Sequence, residues 1–338
     1  MGQKKKLKVA APFSSYDSSR AYYIRPYPDH FFLWPVLKQR RLQFTLQDLP
    51  NHNKKLVYKS NKPFSLGIGM YLFEVVLELT AAIPLNTQSE ELYGESQARD
   101  VQLNVFGKQF GVDLVYQRYT QFYVTDPDRE IGPGAPYPQR PDILTRNMGI
   151  TGSYFFNHKK FSFRSAYNYA DRQLRSAGSF MLIGTAVGFK VEGDSAIIGD
   201  SYSGEFNIDA DIRRFKSATY SIAPGYTYSL VHKGFFINGA FALGPGLNWL
   251  QHLSENGGEG KYFRVTSFYT GRVALGYSGD RFFGGISLVL QGNSPKFETI
   301  QLKTSTGSFK ALVGYRFRER GFLKKRLIDL PKALGIGD

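Results

Sequence analysis

The chain has 338 residues, with 43 Lys and Arg against 28 Asp and Glu, a formal charge of +15 and no cysteine. At 42 % hydrophobic and 15 % aromatic it is too apolar to be disordered. Without cysteine it has no disulfide, thiol nucleophile, iron–sulfur cluster or cysteine-ligated zinc. The basic excess is uneven: residues 1–8 carry +4, 38–62 carry +6 and 318–338 carry +3, whereas 63–317 hold 24 basic and 22 acidic residues. A nucleic-acid binder would place such charge on its folded body. Charge gathered at the two ends and in the first strand–loop region suits contact with anionic membrane surfaces, and nucleic acid is excluded as a partner.

Lys4, Lys5, Lys6 and Lys8 lead only into a short apolar stretch at 9–11, not the 7–15 residues of a secretory h-region. The expectation is either an internal protein or an exported chain whose signal is absent. The most apolar run, 31–37, is far short of the ~20 residues a membrane helix needs. Residues 1–37 are therefore expected to form an irregular N-terminal segment that plugs or underlies the following domain.

From about residue 40 the dominant signal is alternation with period 2. Leu42, Phe44 and Leu46 alternate with Arg41, Gln43 and Thr45; Phe161 and Phe163 alternate with Ser162 and Arg164. Phe309, Ala311, Val313, Tyr315 and Phe317 alternate with Lys310 and Arg316. Segments such as 217–231 and 262–277 are much longer than the usual soluble strand of about 5–6 residues. Strands are expected at 41–47, 64–72, 74–83, 98–107, 110–123, 146–157, 160–169, 179–189, 204–213, 217–231, 234–247, 262–277, 281–291 and 308–317. Short turns and long loops alternate between them. This predicts an all-β fold, a transmembrane antiparallel up-and-down β-barrel over 38–317 with about fourteen strands, or twelve as the alternative. A soluble β-sandwich also alternates, but strand length, the two loop classes and the final aromatic Phe317 favour the barrel.

On this register the face opposite the apolar stripe lines the lumen. It offers Arg41, Arg164, Arg264, Arg272, Lys310 and Arg316, together with Glu74, Glu78, Asp100, Asp113, Asp209 and Asp211. These charges either set the field of an open pore or pair with one another across a filled lumen. No histidine has a metal-ligand spacing, and neither a metal nor a cofactor is expected. His252 and Ser254 stand two apart, so on a strand they share a face and His252 could activate Ser254 as a nucleophile. That arrangement resembles the His-x-Ser of outer-membrane phospholipases, although here it borders the glycine-rich loop 256–260.

Beyond Phe317, residues 318–338 form a basic tail. Phe322, Leu323, Leu327 and Leu330 recur near helical spacing beside Lys324, Lys325 and Arg326. An interfacial helix or a docking peptide for a periplasmic or envelope protein is expected.

Several segments resemble an uncharacterised outer-membrane protein family of Bacteroidetes, domain of unknown function 4421. They are Gln173-Leu-Arg-Ser-Ala-Gly-Ser-Phe180, Pro224-Gly-Tyr-Thr-Tyr228, Leu66-Gly-Ile-Gly69 after Asn61-Lys-Pro63, and the Tyr/Arg/Pro-rich lead-in 22–41. The resemblance spans most of 16–317 in scattered matches. It implies an export signal, a Gram-negative outer-membrane barrel and contact with outer-membrane lipids or lipopolysaccharide; it supplies no activity and no site. The sequence thus predicts a non-enzymatic outer-membrane barrel acting as a passive pore. The alternatives are an accessory subunit with a filled lumen and a lipid hydrolase using His252 and Ser254.

Overall fold

A computed structural model describes residues 18–51, 54–72, 75–206, 211–297 and 299–318. The short helix α1 (Ser18–Tyr23) and strand β1 (Ile24–Pro26) precede β2 (His30–Asp48), β3 (Lys55–Lys59), β4 (Ser65–Leu72) and β5 (Val75–Ala82). After α2 (Thr87–Tyr93) come β6 (Gln97–Phe106), β7 (Phe110–Thr125) and β8 (Gln139–Phe155). A segment with α3 (Arg164–Tyr167) and β9 (Asp171–Gln173) then leads to β10 (Ala177–Glu192) and α4 (Asp200–Ser203). The wall is completed by β11 (Ile212–His232), β12 (Phe235–Ser254), β13 (Glu259–Ser278), β14 (Phe282–Asn293) and β15 (Ile300–Arg318).

Neighbouring wall strands are antiparallel, and β15 pairs with β2 from Ile300↔Asp48 to Arg318↔His30, which closes the sheet. The other edge of β2 is shared: β3 pairs with its far end at 43–47, and β4 with its near end at 32–38. At the loop end the hydrogen-bonded ring is β2–β3–β7–β8–β10–β11–β12–β13–β14–β15, a closed barrel of ten strands. At the turn end β4, β5 and β6 enter the wall in place of β3. Closure leaves most strands without a free edge to pair with another chain.

The local chemistry follows the pleat. Along β12 the outward residues Phe235, Ile237, Phe241, Leu243, Leu247 and Trp249 are exposed, while Phe236, Asn238, Ala240, Ala242 and Asn248 point inward and are buried. The turn into β12 has Lys233 at φ 49° and Gly234 at φ 89°. Two successive positive φ values match the twist of a two-residue hairpin. A Cβ on Gly234 would lie 2.8 Å from the Tyr277 ring.

Four expectations change. Residues 160–169 form no strand: their alternating aromatics belong to turns and to α3, all four of whose residues are buried inside the barrel mouth. The segment 204–213 begins as a turn after α4, with 207–210 outside the described residues and β11 starting at Ile212. The fourteen-strand count is therefore not what the described residues form. Thirdly, the run 31–37 is wall, the first half of β2, rather than a plug; the boundary at 37/38 falls inside that strand. Finally, Arg41 faces outward and is exposed, whereas Leu42, Phe44 and Leu46 are buried. The apolar face of β2 turns inward there because an apolar roof fills the barrel beneath it. Glu74, Asp209 and the predicted tail beyond Arg318 lie outside the described residues, as do 1–17.

Candidate functional site: the barrel lumen

The inside of the barrel has a floor, a polar middle and a roof. The floor is made by residues 156–176 folding back into the turn end, joined by the N-terminal segment through β1–β9 pairing (Ile24↔Gln173 to Pro26↔Asp171). Phe161, Phe163, Tyr167 and Tyr169 pack with Phe32, Trp34, Phe155, Phe236 and Phe283 in one buried cluster. Asp171 is fully buried and takes hydrogen bonds from Arg164 Nε and Nη2 at 2.8 and 2.9 Å, from Ser162 Oγ at 2.6 Å and from Arg20 Nη2 at 3.1 Å. Burial alone would raise the Asp171 pKa, but the Arg164 guanidinium and these donors outweigh it, and the carboxyl lies below the usual carboxylate value.

Three wall residues hold this floor. Arg316, 1 % exposed, donates to Gly279 O at 2.7 Å and to Tyr169 O and Ser278 Oγ at 3.0 Å each. Its guanidinium also lies over the Tyr27, Phe283 and Phe32 rings, at 4.2, 4.7 and 5.2 Å. Asn238 Oδ1 accepts from Tyr167 OH at 2.8 Å, and Lys310 Nζ donates to Tyr167 O at 3.2 Å. Tyr169 has φ 58°, a conformation that costs a bulky residue roughly 1–2 kcal/mol and that the Arg316 hydrogen bond to its carbonyl helps to hold.

Above the floor the walls turn polar. Arg272 Nη2 lies 2.7 Å from Asp113 Oδ2, and Asp113 also accepts from Asn104. Glu78 pairs with Lys38 and, at 3.4 Å, with Lys310, and accepts from Trp34 Nε1 at 3.3 Å. Asp100 pairs with Arg40, lies 3.8 Å from Lys62 Nζ, and accepts from Gln117 Nε2 and Tyr119 OH at 3.2 and 3.0 Å. Asn248 Oδ1 takes bonds from Thr219 Oγ1 (2.6 Å) and Asn293 Nδ2 (2.7 Å), while Asn248 Nδ2 reaches Thr266 Oγ1 (2.8 Å). Arg272, Asp113, Arg40, Gln117, Thr219 and Asn293 are among the residues that line an internal space of about 140 Å³.

The roof is apolar. Ile197, Ile198 and Tyr202, from the β10–β11 connection, pack with Phe44, Tyr58, Phe122, Phe189 and Phe215. Tyr58 OH and Arg140 Nη1 both donate to Ile197 O at 2.6 Å. At Gln121, φ 66°, the β7–β8 register shifts between Thr120 and Phe122, and Phe122 and Val124 are buried beyond it. This bulge re-aims the strand so that its apolar residues serve the roof.

Of the sequence-derived lumen candidates, the structure brings Arg272 to Asp113 and Lys310 to Glu78, places Asp100 beside Arg40, and seats Arg316 and Arg164 in the floor. Arg164 does so from α3 instead of a strand. Arg264 lies on the inward-facing parity but is exposed near the loop end, donating to Phe263 O at 3.3 Å. Asp211 lies in the loop before β11, where its carbonyl accepts from Glu255 N at 3.0 Å. His252 and Ser254 share the inner face of β12 near its loop end, but no hydrogen bond joins them among those described. The His252 ring stacks on Tyr262 with centroids 5.7 Å apart. Sequence reasoning missed Lys38, Arg40 and Lys62, although the Arg40–Arg41 doublet showed that one of two adjacent arginines had to face inward. It also missed Asp171, whose signal was Arg164 seven residues earlier. Among the described residues no group of three or more His, Asp or Glu is placed to hold a metal.

The class defined is a closed antiparallel β-barrel whose lumen is filled by its own chain. The chain belongs to the family described as a domain of unknown function (DUF4421), whose model matches residues 15–317. No curated protein matches it. Among solved structures it is similar to the outer membrane protease OmpT from Escherichia coli: 10 % identity, TM-score 0.42, covering 86 % of this chain and 97 % of that one. It is similar also to Ail, the attachment invasion locus protein of Yersinia pestis, at 10 % identity and TM-score 0.18, covering 85 % and 98 %. A Pseudomonas aeruginosa FadL homologue gives 9 % identity and TM-score 0.27 over 85 % and 90 %. At these values no residue role carries over to this chain.

Proposed function

We propose that the chain is a non-enzymatic outer-membrane barrel that serves as a structural or accessory subunit of an envelope assembly, with its lumen closed by the floor and roof. The observation that carries this reading is the filled lumen: a buried aromatic floor tied to the wall by Arg316, Asn238 and Lys310. A passive pore needs a continuous aqueous path, and the floor, the small middle space and the roof weigh against one. Membrane placement is supported by the outward face, where Ile68, Leu79, Val101, Phe180, Ile222 and Val313 are each more than 60 % exposed. A soluble protein has no reason to present such residues strand after strand, whereas a bilayer rewards them. Among the described residues no helix is long and apolar enough to cross a membrane, so crossing would fall to the strands.

On this reading the outer face contacts lipids or lipopolysaccharide, and the N- and C-terminal segments reach a periplasmic or envelope partner. The Bacteroidetes source implied by the family resemblance belongs to the same proposal. The His252/Ser254 hydrolase reading is weakened because the His252 ring stacks on Tyr262 and meets Phe297 edge-on, with no hydrogen bond to Ser254 among those described. The test is reconstitution into vesicles holding a small self-quenching dye. Protein that inserts, judged by protease protection of its strands, and leaves the dye inside is the expected result. Failure to insert, or rapid dye loss on insertion, overturns the proposal.

A further inference from the structure

Among the described residues the wall is weak between β5 and β6. β5 is hydrogen-bonded to β4 on one edge and β6 to β7 on one edge, but among the described residues no ladder joins β5 to β6. The two facing edges therefore hold backbone N–H and C=O groups with no strand partner. Exposure agrees: Leu79, Thr80, Ala81 and Ala82 of β5 and Val101, Gln102 and Leu103 of β6 are exposed on both faces, unlike the strict alternation of β12. Above the seam the wall is sealed by β3–β7 pairing and by Asn61, whose Nδ2 donates to Gly94 O at 2.7 Å and whose N–H donates to Ser96 Oγ at 2.8 Å.

Behind the seam lies an opening of about 330 Å³ lined by Lys38, Arg40, Lys62, Glu78 and Asp100. With Lys310, four cations share two carboxylates there. Arg40 Nε is buried without a hydrogen-bond partner. On the outer side of the same seam stand Leu79, 80 % exposed, and Val101, 66 % exposed. A cationic interior thus meets an apolar exterior across a gap whose two strand edges are joined by no ladder among the described residues.

We propose that the β5–β6 seam is a lateral port for an anionic membrane amphiphile. Its carboxylate or phosphate head enters to Lys38, Arg40 and Lys62 while its hydrocarbon tail stays against Leu79 and Val101. The head supplies acceptors to strand N–H groups that hydrocarbon would leave unsatisfied at a cost of several kcal/mol each, and it offsets the surplus positive charge. An inserted peptide strand fits less well. At their nearest, β5 and β6 approach within 8 Å between Cα atoms, short there of the roughly 9.5 Å that two strand spacings require. The inference rests on the membrane placement proposed above.

The chain's two tryptophans separate the two claims. Trp249 is 50 % exposed on the outer face, whereas Trp34 is 2 % exposed and donates to Glu78 inside the port. In neutral phosphatidylcholine vesicles, the Trp34→Phe variant reports membrane contact through quenching of Trp249 by tail-brominated phosphatidylcholine. The Trp249→Phe variant reports the port through quenching of Trp34 by 2-bromohexadecanoate, whose bromine travels with the carboxylate and which finds no cysteine to alkylate. Saturable quenching of Trp34 is expected, with little from tail-less bromoacetate at equal concentration. Lys62→Gln, at the rim, and the pair Lys38→Gln/Arg40→Gln should each raise the half-quenching concentration, the pair by about tenfold. The port is overturned if Trp34 is not quenched, if bromoacetate quenches it equally, or if neither variant changes the concentration dependence. Absence of Trp249 quenching by brominated lipid overturns the membrane placement instead.

Discussion

Replacing Asp171 by Ala is the sharpest test of how the floor is held. The side chain is fully buried and bonded to Arg164, Arg20 and Ser162. Removing one partner of a buried ion pair costs about 3–5 kcal/mol, because the remaining charge stays buried. Arg20 is 13 % exposed and can turn partly toward water, which places the expected loss near the lower end, about 3 kcal/mol. Hydrogen exchange reads this locally. The amides of Phe161, Asn168 and Leu174, which donate to Asn157 O, Arg164 O and Tyr23 O, should lose protection by about a hundredfold. Amides in the middle of β12 should keep theirs. The Asp171 pKa is held below its unfolded value of about 3.9, so its contribution is complete above that pH and disappears as pH falls through the lower native value. The gap between the native protein and Asp171→Ala should therefore be full at neutral pH and narrow only below about pH 4. Unchanged protection in the floor, or equal loss throughout the barrel, refutes the reasoning.

Three further outcomes are expected. Asp113→Ala, which strands the buried Arg272 guanidinium, should destabilise the folded barrel by about 3 kcal/mol in denaturant titration. The combined Asp113→Leu/Arg272→Met change should restore most of that stability, because a packed apolar pair replaces a desolvated ionic one. Gly234→Ala forces a side chain into φ 89° against the Tyr277 ring and should cost about 1 kcal/mol or more in the same titration. Ser254→Ala should leave any lipid hydrolysis measured with the native protein unchanged; loss of a measured activity would revive the hydrolase reading.

Alternation alone made most of the wall legible, since outward and inward residues of β12, β13 and β15 differ in kind as well as in position. It misled wherever the interior is apolar. Leu42, Phe44 and Leu46 look lipid-facing but face the roof, and the error carried Arg41 inward in place of Arg40. Phe161, Phe163, Tyr167 and Tyr169 have strand-like spacing, yet they form a floor whose aromatics need only reach one cluster, not one face of a sheet. Pairwise charge contacts depend on strand stagger. Arg272 and Asp113 are 159 positions apart, and nothing local to either residue marks them as partners. The β5–β6 seam was illegible for the same reason: both segments alternate as ordinary strands, and only the pairing pattern shows that they fail to join.

Single-channel recording in planar bilayers tests the filled lumen most directly. The folded native chain should insert without a steady ohmic current, and Asp171→Ala should show brief openings as the floor loosens. A stable open conductance from the native chain, unchanged by that substitution, would contradict the account.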